Sequence, residues 1–221
     1  MIFFARAILF DMDGVLMDST PSVERVWRAW ALAHGLDPES TAAQAHGRRS
    51  IETIRAVAPE LDAEKENVLV EQMEIDDKEG VMALPGAAEL LANLPDDRFA
   101  IVTSATRPLA VARLGYAGLS LPRHMITAED VVHGKPSPEP FLKGGTLLGL
   151  ATADCLVFED TPAGIASARA AGMQAVALQT TYPADQLEAA HAIIRNLADV
   201  KATLRDGCVT LEVVPIPMMK N

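Results

Sequence analysis

"FDMDGVLMDST", residues 10–20, sets Asp11 and Asp13 where an apolar run stops and Gly14 follows. The residues before it, Ala5-Arg6-Ala7-Ile8-Leu9-Phe10, read as a buried strand, so both carboxylates stand at its carboxyl tip. Like charges this close make each other harder to ionise. Two readings account for the pair: a solvated turn, or two groups that hold something cationic between them. The choice depends on what else the fold brings to that tip.

Working outward, strand-like runs recur at Ala7–Phe10, Phe99–Val102, Leu156–Phe158, Gln174–Ala177 and His191–Ile194. Helical patterns fall between them, at Ala87–Leu94, Leu109–Leu114, Glu139–Leu148 and Ala163–Ala170. That alternation predicts an α/β fold with a doubly wound parallel sheet. Residues 21–78 interrupt it with no strand candidate. There Val23, Val26, Trp27, Trp30 and Ala31 recur at helical spacing, as do Ile51, Ile54 and Val57, and Asp62–Lys78 is charged and helix-favouring. The expected plan is therefore a core of residues 1–17 and 85–221 with a small all-helical cap domain, 18–84, inserted after the first strand. The tail Cys208–Val214 alternates weakly and reads as one more strand, ended by Pro215 and Pro217.

The totals narrow the partners. The chain has 221 residues, 49% hydrophobic and 22% charged, which suits a globular protein. Its net charge of −11, from 30 acidic and 19 basic residues, argues against nucleic acid, whose phosphates need a basic face. An anionic small substrate would need local cations or a metal to offset that field. Cys155 and Cys208 are the only cysteines and neither has a CxxC partner, so zinc and disulfide frameworks are poorly supported and a reduced cytoplasmic setting is expected. Met1-Ile2-Phe3-Phe4 runs straight into Arg6 and Asp11, which fits no signal peptide, and no apolar stretch approaches a membrane span. The expectation is a monomer or weak dimer with no membrane partner.

The other strand ends carry chemistry too. Phe99–Val102 runs into Thr103-Ser104-Ala105-Thr106, hydroxyls and amides that can cradle an anion as a helix opens. Leu156–Phe158 ends in Glu159-Asp160-Thr161-Pro162, a second carboxylate pair before a helix. Between them lies His133-Gly134-Lys135-Pro136, a lysine in a proline-stiffened loop. Each has a plain reading alone: turn, helix-capping pair, surface lysine. Together, at successive strand ends, Asp11, Asp13, Glu159 and Asp160 would crowd up to four negative charges, which demands a cation. Oxygen-only ligands favour a hard ion, Mg2+, held also by substrate phosphate.

D-M-D-G-V-L-M-D-S, T-S, G-K-P and F-E-D-T-P-A-G in that order resemble the haloacid dehalogenase superfamily, in the branch with a helical cap after the first strand. Within it the chain is similar to phosphatases of 2-deoxyglucose 6-phosphate and glycerol phosphate, through "VERVWRAW", "AHGRRS", "IVTSATR", "GKPSPEPFLKG" and "FEDTPAGIASARAAG". The likeness runs from about residue 5 to residue 200. It implies an Mg2+-dependent phosphatase of small sugar or polyol phosphates that works through an aspartyl-phosphate. Asp11 would be the nucleophile and Asp13 the general acid, then base, with its backbone carbonyl facing the metal. Asp11, Asp160 and Glu159 would complete the metal site. Thr103 and the Ser104 amide would hold the phosphoryl group, Lys135 would offset its charge, and Gly14 would allow close backbone approach.

In the cap, "AHGRRS" puts His46, Arg48 and Arg49 at a turn before a helix, and the resemblance points to Arg49 as the one reaching the cleft; solvated helix-start charges are the other reading. Trp27 and Trp30 fit cap core or a sugar platform. Three rival readings differ at named positions. A phosphomutase of this branch would carry a histidine where this chain has Val23, a dehalogenase proper lacks the second motif aspartate, and a receiver-like phospho-switch has no helical insertion.

Overall fold

Arg6 is exposed and splits the first apolar run in two. In the computed structural model of the chain, which describes residues 1–205 and 207–216, Ile2–Ala5 is β1 and Ala7–Phe10 is β2. A short strand β3, Met17–Asp18, follows the aspartate turn. Four helices come next: α1 Thr20–Ala33, α2 Pro38–Ala45, α3 Ser50–Val57 and α4 Ala63–Asp76. The chain then alternates through β4 Met82–Ala83, α5 Ala87–Ala92, β5 Phe99–Val102, α6 Arg107–Tyr116, β6 Met125–Ile126 and α7 Glu139–Leu147. It continues with β7 Cys155–Glu159, α8 Pro162–Ala170, β8 Gln174–Leu178 and β9 Ala192–Ile194. It closes with β10 Val200–Arg205 and β11 Cys208–Val213.

The central sheet is parallel, in the order β6-β5-β2-β7-β8-β9. Its strands are buried on both faces and their side chains alternate between two cores, as the pleat requires. Ile8, Phe10, Ile101, Leu156, Phe158 and Val176 face one core, closed by Leu90 of α5 and Leu114 of α6. Leu9, Val102, Val157 and Ala175 face the other, closed by Phe141 of α7 and Ile165 of α8. Phe10 and Phe158, paired across β2 and β7, stack with ring centroids 5.4 Å apart. Strand order reverses at β2, which has β5 on one side and β7 on the other; such a reversal opens a crevice at the carboxyl ends.

The helical segment has its own apolar cluster, built only from residues between 23 and 70, with Trp27, Trp30, Ile54 and Val70 at its centre. Asp37 and Asp62 cap α2 and α4 by accepting from the amides of Ser40 and Lys65. The segments leading into and out of these helices pair with each other, Met17 opposite Ala83 and Asp18 opposite Met82. Trp27 and Trp30 meet edge-to-face at 5.5 Å and both are buried, which decides Trp30 for the core reading.

All five strands read from the sequence are present, shifted by no more than a residue at either end. The tail strand is β11, and it pairs with β1 and β10 in a separate antiparallel sheet that the sequence reading did not contain. Pro215 follows β11; Pro217 lies outside the described residues.

Candidate active site

Asp11 leaves β2 but does not leave the sheet. Its amide donates to Phe158 O at 2.9 Å, one residue past the strand, which fixes where its carboxylate points. Lys135, from the loop after β6, lies over the tips of β5, β2 and β7. Its Nζ donates to Val102 O at 3.1 Å, Asp11 Oδ1 at 2.5 Å and Glu159 Oε1 at 2.6 Å. The ammonium is buried, so the surface-lysine reading fails. Burial opposes its charge, but Asp11 and Glu159 outweigh that and hold it above its ordinary range.

Glu159 is fully engaged. One oxygen takes the lysine; the other accepts the amides of Asp160 and Thr161 at 2.8 Å and the Thr161 hydroxyl at 2.9 Å. Thr161 in turn caps α8 by accepting from Gly164 N. Asp160 is different: its Oδ1 is buried with no hydrogen-bond partner. One oxygen each from Asp11, Glu159 and Asp160 lies within 4.8 Å of the others. Burial, reinforced by the neighbouring carboxylates, pushes Asp11 up to about 7 against the pull of Lys135, and Asp160 well above the usual carboxylate range. An all-oxygen cluster with a buried, unpartnered carboxylate oxygen is chemically suited to a hard divalent ion. Gly14, at φ +76°, leaves room for it: a Cβ there would stand 2.0 Å from Asp160 Oδ2.

The Asp13 carboxylate belongs to a second group. Its Oδ1 accepts from Ser19 Oγ at 2.6 Å and from Arg113 Nη1 at 3.0 Å. Arg113 Nη2 donates to Glu74 Oε1 at 3.2 Å, and Trp27 Nε1 donates to the same oxygen at 3.3 Å. Burial drives the Glu74 carboxyl up, while the two carboxylates overcome burial to raise Arg113. Ser19, Arg113 and Glu74 were not among the residues singled out from the sequence. A signal was there: Arg113 lies in the inward stripe of α6 with Leu109, Ala110 and Leu114, and Glu74 follows Val70 by one turn on α4. A charge inside an apolar stripe calls for a buried partner.

Asp11, Asp13, Ser19, Glu74, Arg113 and Asp160 line one cleft between core and helical segment, together with Val23, Trp27, Thr103, Ser104, His46 and Arg48. Thr103 is buried and accepts from Ala105 N, while Ser104 Oγ donates to Gly47 O and so ties the loop after β5 to the "AHGRRS" turn. His46 is pushed down by burial. Arg49 is a correction. It does not line the cleft; it immediately precedes α3 and turns to Glu52, one turn on, and to the carbonyls of Val131 and Val132 at 3.4 and 3.1 Å. Arg48 is the arginine at the cleft wall.

The family described as haloacid dehalogenase-like hydrolase matches residues 5–172. Hexitol phosphatase A of Escherichia coli is 41% identical over 203 residues, covering 90% of this chain and 94% of that protein. Glycerol-1-phosphate phosphohydrolase 2 of Saccharomyces cerevisiae is 35% identical over 195 residues, covering 83% and 78%. Among solved structures, a hydrolase from Pseudomonas syringae superposes with a TM-score of 0.79 at 26% identity, covering 87% of this chain and 94% of that one.

Proposed function

The chain belongs to the haloacid dehalogenase-like hydrolases, and from that premise we propose that it is an Mg2+-dependent phosphatase of small sugar or polyol phosphate monoesters. The observation that carries this reading is the buried Asp11–Lys135–Glu159 triad beside the unpartnered Asp160 oxygen, with Asp13 two residues on. Asp11 and Asp160 would hold the ion, with Glu159 next to them and the Asp13 backbone carbonyl facing it. Bound there, Mg2+ supplies charge neutralisation of the carboxylates and of the phosphoryl oxygens.

Asp11 attacks phosphorus in line, and the substrate's P–O bond breaks as the aspartyl-phosphate forms. Asp13 gives its proton to the departing alkoxide. Water then attacks the same phosphorus, Asp13 takes up its proton, and phosphate leaves with Asp11 regenerated. Lys135 stabilises the charge that gathers on Asp11 and the transferring group. Thr103 and the Ser104 amide hold phosphoryl oxygens. Gly14 keeps the backbone close.

Residues 18–84 act as the cap over a core of 1–17 and 85–221; the separate apolar cluster and the β3–β4 pairing support that division. His46 and Arg48 line the cleft from the cap side and would meet the substrate's far end. Val23, apolar and at the cleft, stands at the position where a mutase of this branch would carry its histidine, and hydrolysis is the reading kept. The substrate class follows the small, partly enclosed cleft, the net charge of −11 that disfavours polyanions, and the printed activities of the relatives. Among the described residues no helix is long and apolar enough to cross a membrane. Two unpaired cysteines fit a reducing cytoplasm, and the protein is read as a monomer or weak dimer.

The test is kcat/KM across hexitol, sugar, glycerol and nucleotide phosphates, with Mg2+ and with excess chelator. Polyol and sugar phosphates should lead, chelator should abolish turnover, and Asp11→Asn should be inactive. A preference for nucleotides, or full turnover in chelator, overturns the proposal.

A further inference from the structure

Asp13 is held from one side only. Both of its donors, Ser19 Oγ and Arg113 Nη1, reach Oδ1, and among the described residues Oδ2 accepts no hydrogen bond. That leaves Oδ2 as the oxygen of Asp13 that faces the cleft without a donor. Ser19 precedes α1 on the same stretch of chain as Asp13. Arg113 comes from α6 of the core, a hundred residues away, and its other end grips Glu74 of α4 in the helical segment. Arg113 and Glu74 have side chains 5% and 4% exposed.

Folding economy does not explain such a pair. A buried ion pair is commonly replaced by apolar side chains without loss of stability, because desolvation cancels most of the attraction. This one carries a further cost, since Arg113 Nε is buried without a partner. What the pair does achieve is geometric: a planar, two-ended guanidinium fixes one oxygen of Asp13 and joins it to the cap.

We propose that Arg113 is a positioning residue for Asp13, and that Glu74 holds Arg113, so that the proton donor is set in place only where cap meets core. This rests on the reading of Asp13 as the acid that protonates the leaving group.

The experiment measures kcat/KM, with Mg2+, for a series of substituted phenyl phosphates that differ in leaving-group basicity but not in shape. That constant covers steps only through departure of the leaving group, so the later attack of water does not enter. Arg113→Met should lose under about threefold on p-nitrophenyl phosphate, whose phenolate leaves unaided, and about a hundredfold on phenyl phosphate, which needs the proton. Arg113→Lys should recover part of the loss by reaching one partner, and Glu74→Gln should show the same trend more weakly. An equal loss across the series would make Arg113 a packing or substrate-binding residue and overturn the proposal, as would no loss at all. Asp13→Asn is the reference. If its loss grows with leaving-group basicity while the Arg113 variants shift in parallel, only this inference falls. If Asp13→Asn shows no such growth, the assignment of the acid itself falls. Should Arg113→Met not fold, Arg113→Lys and Glu74→Gln carry the same comparison.

Discussion

Lys135 shows how much one buried charge can hold. It faces two carboxylates and a carbonyl, and among the described residues no other cation pairs with Asp11. Lys135→Met should cost about a hundredfold or more in kcat, as loss of a preorganised charge stabiliser does. It should also cost about 3–5 kcal/mol of stability, because Asp11 and Glu159 are left buried and facing each other. Thermal unfolding and kinetics on one preparation check both; a stable variant that is merely slow would confine Lys135 to catalysis. His46 gives a pH effect. Burial lowers its proton affinity below the ordinary 6.5, so just under that value the unfolded chain binds a proton that the folded chain refuses. Stability contributed by neutral His46 is therefore present above 6.5 and lost on acidification through that window. The drop in Tm from about pH 7.5 to about pH 5 should be smaller in His46→Gln than in the parent; an equal drop would mean that His46 titrates as if exposed. At this scale the sequence was most legible where a residue's place follows from a strand end. Asp11, Thr103, Glu159 and Asp160 are such residues, and Lys135 adjoins them. It was least legible where position depends on docking. Arg113 meets Glu74 only because α6 and α4 pack together, and Arg49 is turned aside by Glu52 and by two carbonyls of a loop far along the chain.

The turn between α2 and α3 is the element that ties the helical segment to the loop after β5. Gly47 has φ +72°, a Cβ there would stand 2.7 Å from Thr161 Cγ2, and its carbonyl receives Ser104 Oγ. Left-handed backbone with no room for a methyl group makes glycine necessary here. Gly47→Ala should pry the turn off the core at one point while leaving each apolar cluster intact. The expected outcome is at least a tenfold loss of kcat/KM on a polyol phosphate, with unfolding shifted by no more than about 1–2 kcal/mol, the size of a backbone strain at one site. Unchanged kinetics would show that the turn does not report on cap closure. Elements as a class were readable to the extent that they were long or periodic. In the insertion α1 and α3 declare themselves by spacing, α4 by its charged, helix-favouring composition, and the five buried strands by their apolar runs, whereas α2, Ala-rich with no stripe of large apolar residues, does not stand out. The two-residue strands β3, β4 and β6 carry no period at all; partners impose them, Met17 on Ala83 and Ile101 on Met125.

Across the whole molecule, the carboxylate cluster and the terminal sheet sit at opposite ends of β2. β1 feeds β2 at its amino end and pairs with β11, whose Val209, Leu211 and Val213 join Phe3 in the larger core cluster. Neither β1 nor β10 was legible, because exposed Ile2, Phe4 and Leu204 blur the alternation that marks a half-buried strand. This separation makes stability and metal binding independent terms. Leu211 is fully buried, so Leu211→Ala should cost roughly 2–5 kcal/mol, which for a chain of this size lowers Tm by roughly 5–15 °C. On the proposed function, saturating Mg2+ should bind the folded state alone and add about 2.7 kcal/mol at a hundred times Kd, in parent and variant alike. The two effects should sum to within about 0.5 kcal/mol, as distant sites do, and kcat at 20 °C with Mg2+ should be unchanged by the substitution. Unfolding curves of both proteins with and without Mg2+ measure the four corners of that cycle. A coupling well beyond that limit would mean that the terminal sheet reaches the metal cluster through the central strand, and that the protein works as one cooperative body rather than as a site carried on an independent support.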